Sequence, residues 1–157
     1  MSAVISDCGK YRYWLSRDGD ASKQRVAFVM LNPSTADATV DDATIRRCRS
    51  FARGAPFVVV NAYAFRATNP KDMKAADDPV GKLNYDYLFR VANGDFKIII
   101  AWGANIDPDH AETVRAILKH GDEQFNVLYC LGVTKDNHPR HPLYVRGDAP
   151  IYPWVPK

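Results

Sequence analysis

At four places in this 157-residue chain an apolar run ends on residues that can do chemistry. Val26-Ala27-Phe28-Val29-Met30-Leu31 stops at Asn32-Pro33-Ser34-Thr35, and Phe57-Val58-Val59-Val60 stops at Asn61, with Tyr63 two positions on. Ile98-Ile99-Ile100-Ala101 stops at Trp102-Gly103. The run Phe125–Leu131 leads into a loop containing His138-Pro139-Arg140-His141-Pro142-Leu143-Tyr144. An amide that closes a fully apolar strand must find hydrogen-bond partners or face a cleft, which marks Asn61 as a ligand contact. Asn32-Pro33 reads as a turn, with Ser34 or Thr35 as a helix cap, or as part of a site. Trp102 reads first as core, and Gly103 as a helix entry or a point of close ligand approach. His138 and His141, three apart beside Arg140, suit stabilisation of an anion better than metal binding, because no third ligand has matching spacing.

The elements that must carry these residues follow from pattern. Lys10–Ser16 alternates as an edge strand, Arg17-Asp18-Gly19-Asp20 is turn chemistry, and the strand 25–31 then gives an antiparallel start. Helices are expected over Asp41–Gly54, Pro79–Ala92 and Pro108–His120, with acids at the first start and glycine as stop. Buried strands are expected over 56–65, 96–103 and 125–131, and Arg66–Asp78 reads as a polar loop. Strands alternating with helices, and near-continuous apolar strands, predict one three-layer α/β domain over residues 1–157. Its central sheet is expected to be mostly parallel, of about four strands, with helices on both faces and an N-terminal antiparallel edge hairpin. In such a sheet ligands bind outside the carboxyl ends of the strands, where all four polar junctions would meet.

Composition narrows the class. The chain is 46% hydrophobic and 25% charged, as globular domains are. Its apolar runs reach only about six residues against the ~20 of a membrane span. The N-terminus lacks the features of a signal peptide, so a cytoplasmic setting and no membrane partner are expected. Three cysteines are an odd number without close spacing, which predicts reduced thiols and excludes a four-cysteine metal site within one chain. Cys48 and Cys130 read as packing residues. The net charge of +3 permits an anionic partner without requiring one. Arg46, Arg47, Arg49 and Arg53 are a solvated helix face or phosphate contacts. Asp37, Asp41 and Asp42 are ordinary first-turn acids or magnesium ligands; the first reading is preferred, and no metal or cofactor is expected.

Taken in order, strand-Asn-Pro, strand-Asn, strand-Trp-Gly and strand-loop-His-Pro resembles the uracil-DNA glycosylase superfamily. The run His138–Gly147 is similar to that superfamily's His-Pro-Ser-Pro-Leu-Ser motif. Over most of its length the chain also resembles a small bacterial and phage family marked by Leu-Asn-Pro-Ser-Thr-Ala-Asp and Pro-Arg-His-Pro-Leu-Tyr. The glycosylase resemblance implies that Asn32 orients water towards the sugar and Asn61 reads a base edge. It implies that His138 or His141 stabilises the departing base and that Leu143 fills the vacated position. Pro33, Ser34, Tyr63, Trp102, Gly103 and Tyr144 would then line the ligand, and Arg46, Arg140 and Arg146 would contact phosphate. An asparagine stands where the uracil-specific members carry aspartate, and an amide cannot be a general base. A nucleic acid or nucleotide is therefore the expected partner, and an N-glycosidase the expected activity. A non-catalytic binding module and a metal-dependent nucleotide hydrolase are the alternatives.

Overall fold

A computed structural model describes residues 1–121 and 125–157. The strands are β1 (Ser2–Ile5), β2 (Arg12–Arg17), β3 (Val26–Met30), β4 (Phe57–Asn61), β5 (Lys97–Ile100), β6 (Leu128–Cys130) and β7 (Tyr152–Pro153). The helices are α1 (Ala43–Ala52), α2 (Pro70–Lys74), α3 (Asn84–Ala92) and α4 (Pro108–Lys119), and Pro142–Tyr144 forms a single 3-10 turn. The fold is mixed α/β around one seven-stranded sheet of order β1-β2-β4-β3-β5-β6-β7.

The apolar runs build the centre. β3 pairs in parallel with β4 on one side and β5 on the other, and β5 pairs in parallel with β6. Their side chains alternate between two cores. Ala27, Val29, Val58, Val60, Ile98 and Ile100 face α3 and α4 through Leu88, Val91, Val114 and Leu118. Val26, Phe28, Met30, Phe57, Val59 and Ile99 face α1 through Ile45, Cys48 and Phe51. Both faces of these strands are covered, so the runs are continuous rather than alternating.

The sheet is larger than the expected four strands, because antiparallel strands extend both edges. β1 and β7 are four and two residues long, too short for period-two patterning to show. The N-terminal hairpin is β1 with β2; β2 then pairs with β4 and not with β3, whose two edges are already occupied. The helix expected from Pro79 begins at Asn84, because the Pro79 and Val80 carbonyls accept from Phe65 and Ala64 instead. Within the expected loop, Asn69 caps α2 and Pro70 opens it. Neither Ser34 nor Thr35 caps a helix; α1 starts after Asp42, whose Oδ1 accepts the Ile45 amide at 2.8 Å. The 125–131 run supplies only Leu128–Cys130 as strand. The cysteines are free, Cys48 and Cys130 buried and Cys8 exposed. Among the described residues, no helix is long and apolar enough to cross a membrane.

From β3 the chain crosses by α1 to β4, and from β5 it crosses by α4 to β6 on the opposite side. The adjacent strands β3 and β5 thus send their connections in opposite directions, and a crevice opens beyond their carboxyl ends.

Candidate functional site

A cavity of about 580 Å³ occupies that crevice. Its volume falls within the ~300–1,000 Å³ of small-molecule sites. The loop after β3 supplies Asn32 and Ser34, β4 supplies Asn61, and the end of β5 supplies Trp102 and Gly103. The segment around the 3-10 turn supplies Arg140, His141, Leu143 and Tyr144.

Asn61 is a buried polar group of the lining. It is 1% exposed and ends β4 on the α1 side, in register with Met30 of β3. Neither Nδ2 nor Oδ1 has a hydrogen-bond partner among the described residues. A buried unpaired amide costs on the order of 1–3 kcal/mol, so its position needs a compensating ligand or function. Its main chain is held firmly. Asn84 Nδ2 donates to the carbonyls of Asn61 (3.0 Å) and Ala62 (2.9 Å), and His110 Nε2 lies 2.8 Å from the Ala62 carbonyl.

Asn32 Nδ2 donates to the carbonyls of Ala67 (2.7 Å) and Pro33 (3.2 Å). With the nitrogen tied to backbone, Oδ1 is the group left to accept, an arrangement suited to orienting a water. Pro33 itself is buried outside the cavity lining, its carbonyl accepting from Ala67. Gly103 has φ of 76°, and a Cβ there would meet nothing within 4 Å. Backbone conformation, not close approach, therefore calls for glycine at this position.

The two histidines separate. His141 lines the cavity, and its Nδ1 accepts the Leu143 amide at 3.2 Å. Burial lowers its pKa, with Asp42 pulling the other way. His138 lines a smaller cavity of about 220 Å³ that shares Trp102 as a wall. The 132–140 loop folds back on itself, through Thr134 to His138 and Arg140 to Gly132, and turns the two histidines apart.

Other expected residues lie elsewhere. Tyr63 is 5% exposed in the opposite core, stacked on His110 at 4.3 Å, because the chain leaves the strand at Asn61 and bends. Arg46 is exposed and donates to the Asp41 carbonyl, and Arg146 pairs with Asp148 at the surface; neither lines the cavity. Arg140 does line it, its Nε donating to the Val133 carbonyl. Among the described residues no three His, Cys, Asp or Glu side chains gather as a metal site.

Sequence pattern did not mark Arg12. It is 3% exposed, lines the cavity, and donates from Nη1 to the Ala36 carbonyl at 2.7 Å, while Nε has no partner among the described residues. Arg12 and Arg17 are an odd number of positions apart and would face opposite sides of a regular strand. A register shift against β1 lets Val4 pair with Trp14 and Ile5 with Arg12, and this bulge brings Arg12 round to the cavity. Burial lowers its pKa to about 10, against a raising effect of Asp42. The available signal was a lone arginine inside the aromatic run Tyr11–Leu15. Asp42, hidden as a helix cap, lines the same cavity.

No curated protein and no solved structure matches the chain. A family described as a protein of unknown function (DUF1643) matches residues 12–143, a span that includes Arg12, Asn32, Asn61, Trp102 and His141, and the chain belongs to that family.

Proposed function

We propose that this protein recognises a nucleobase in the cavity and hydrolyses a base–sugar bond, in an arrangement like that of the uracil-DNA glycosylases. The observation that carries the reading is Asn61: a buried amide with donor and acceptor both unpaired, lining a cavity at the strand ends. An amide of this kind matches an edge on which a ring carbonyl adjoins a ring N–H. Asn32 Oδ1 would orient water towards the anomeric carbon. The water oxygen forms the new C–O bond, the C–N bond breaks, and its electron pair leaves with the base. The water proton passes to solvent or to the departing base. His141 would donate from Nε2 to the base as negative charge develops there, a contribution of the electrostatic kind.

The partner is then a nucleic acid or nucleotide, and Arg140 at the rim is the remaining candidate for phosphate. The test is release of free base from uracil-containing and modified DNA and from nucleosides, with Asn32→Ala and His141→Ala as comparisons. Release by the wild type, reduced at least about tenfold in either variant, is expected. No release across the panel sinks the enzyme. The absence of a carboxylate at position 32 favours a second reading, a binding module that keeps the pocket without the reaction. Tight, salt-sensitive binding with no product is its signature.

A further inference from the structure

The cavity lining holds a second buried group with an unused hydrogen-bonding edge. A guanidinium presents two forks: one formed by its two terminal nitrogens, and a side-on fork formed by Nε and Nη2. In Arg12 the Nη1 corner is committed to the Ala36 carbonyl. Nε is buried without a partner, and Nη2 has no hydrogen bond among the described residues. The side-on fork is thus intact on a residue 3% exposed that lines the cavity together with Asn61. Such a fork pairs with two acceptors held side by side in one plane. Carboxylates, phosphates and the O6/N7 edge of an oxopurine offer that pair.

Charge decides among them. Asp42 lines the same cavity and is the strongest charge acting on Arg12, ahead of the opposing Arg66 and Arg17. An anion on the fork, carboxylate or phosphate, would meet the Asp42 carboxylate. A neutral acceptor pair would not. Uracil can satisfy the Asn61 amide through a carbonyl and its ring N–H, but beside that carbonyl it has a C–H, which leaves half of the Arg12 fork unpaired. An oxopurine offers O6 and N1–H to the amide and O6 and N7 to the fork. The volume of about 580 Å³ has room for a bicyclic base with its sugar.

We infer that the cavity selects a 6-oxopurine, of the guanine or hypoxanthine class, with Arg12 reading the O6/N7 edge and Asn61 the O6/N1 edge. This rests on the nucleobase reading above and names the base class within it. The test is calorimetric binding of guanosine, inosine, 7-deazaguanosine and uridine to the whole protein, with inorganic phosphate as competitor. Guanosine and inosine should bind, 7-deazaguanosine and uridine should bind about tenfold or more weakly, and phosphate should not compete. Arg12→Lys keeps the charge and loses the fork, and should bring guanosine and 7-deazaguanosine level. Should that variant fail to fold, the 7-deaza comparison on the wild type still decides. Equal binding of guanosine and 7-deazaguanosine, or tighter binding of uridine, overturns the oxopurine assignment and leaves nucleobase recognition standing. Displacement of guanosine by phosphate overturns it in favour of a phosphoryl group on Arg12. Binding of none of the nucleosides overturns both.

Discussion

Two local effects set the state of His141. Burial disfavours the imidazolium and lowers the pKa below the ordinary 6.5, while Asp42 draws it part of the way back. The Leu143 amide donates to Nδ1, so the proton of the neutral ring belongs on Nε2. A neutral ring with Nε2–H is the form that donates to a departing base without itself bringing a charge into the cavity. The sign of the pH dependence follows. The unfolded chain takes up a proton near 6.5 and the folded chain only at lower pH, so the contribution of this site to stability is complete above 6.5. It is lost as the pH falls from there through the folded value. A proton NMR titration of the ring should give a midpoint below 6.5, moving down further in Asp42→Asn once the raising charge is gone. A midpoint at or above 6.5 would contradict the neutral-donor role. Which histidine would enter the cavity was not legible in the sequence, because both sit in one proline-rich loop and only its fold-back separates them.

The 3-10 turn that carries His141, Leu143 and Tyr144 is not fixed by its own length. Three residues make one turn, with Pro142 opening it and the His141 ring capping it. Its anchor is α1: Arg47 donates from Nε to the Pro142 carbonyl at 3.2 Å and from Nη2 to the Val145 carbonyl. The same helix begins at the Asp42 cap. The arginines of α1 read from the sequence as a solvated stripe or as phosphate contacts, yet Arg47 is a bracket and Arg49 pairs with Asp41 at 3.0 Å. Helical spacing placed the arginines on the helix surface, but the partner segment lies 95 residues away and no local pattern reports it. Arg47→Ala should therefore lower stability by roughly 1.5–3 kcal/mol, the range for charge-assisted hydrogen bonds, and loosen the cavity rim. Urea unfolding measures the first effect. The second should appear as weaker nucleoside binding with Asn61 and Arg12 unaltered. Unchanged binding in Arg47→Ala would mean that the rim holds its shape without the bracket.

Across the whole molecule, the sheet edge and the cavity are joined through β2. Arg12 donates to the carbonyl of Ala36, and Arg17 to those of Asp37 and, at 3.5 Å, Val40, so this one strand grips the loop that brings Asn32, Ser34 and Asp42 to the site. The strand–helix alternation and both apolar faces were legible, because β3, β4 and β5 are buried on two sides and carry unbroken apolar runs. Strand order was not, since the pairing of Leu15 with Val59 is a long-range contact that leaves no periodic trace. Nor was the bulge that re-aims Arg12, because one extra residue changes the parity of a strand without changing its composition. The grip is tightest at Arg17, whose side chain is fully buried and whose Nε meets Asp41 Oδ1 at 2.6 Å. Burial pushes the Asp41 pKa up, and the hydrogen bonds and charges of Arg17 and Arg49 outweigh it, so the carboxyl titrates below the ordinary 3.8. A depressed carboxylate stabilises the fold above the unfolded pKa, and that stabilisation is lost as the pH falls through the folded value. Asp41→Asn should lower stability at neutral pH by about 1.5–3 kcal/mol, since a fully buried guanidinium then faces a neutral amide. The difference from wild type should shrink as the pH drops below 3.8, where the unfolded chain takes up a proton, and on through the lower folded value, where the native carboxyl is neutralised as well. Urea unfolding at the two pH values measures it, and a difference that persists undiminished in acid would show that the pair acts through shape rather than charge. Because the gripped loop also carries Asn32 and Asp42, nucleoside binding by Asp41→Asn should weaken together with stability, although Asp41 itself does not line the cavity.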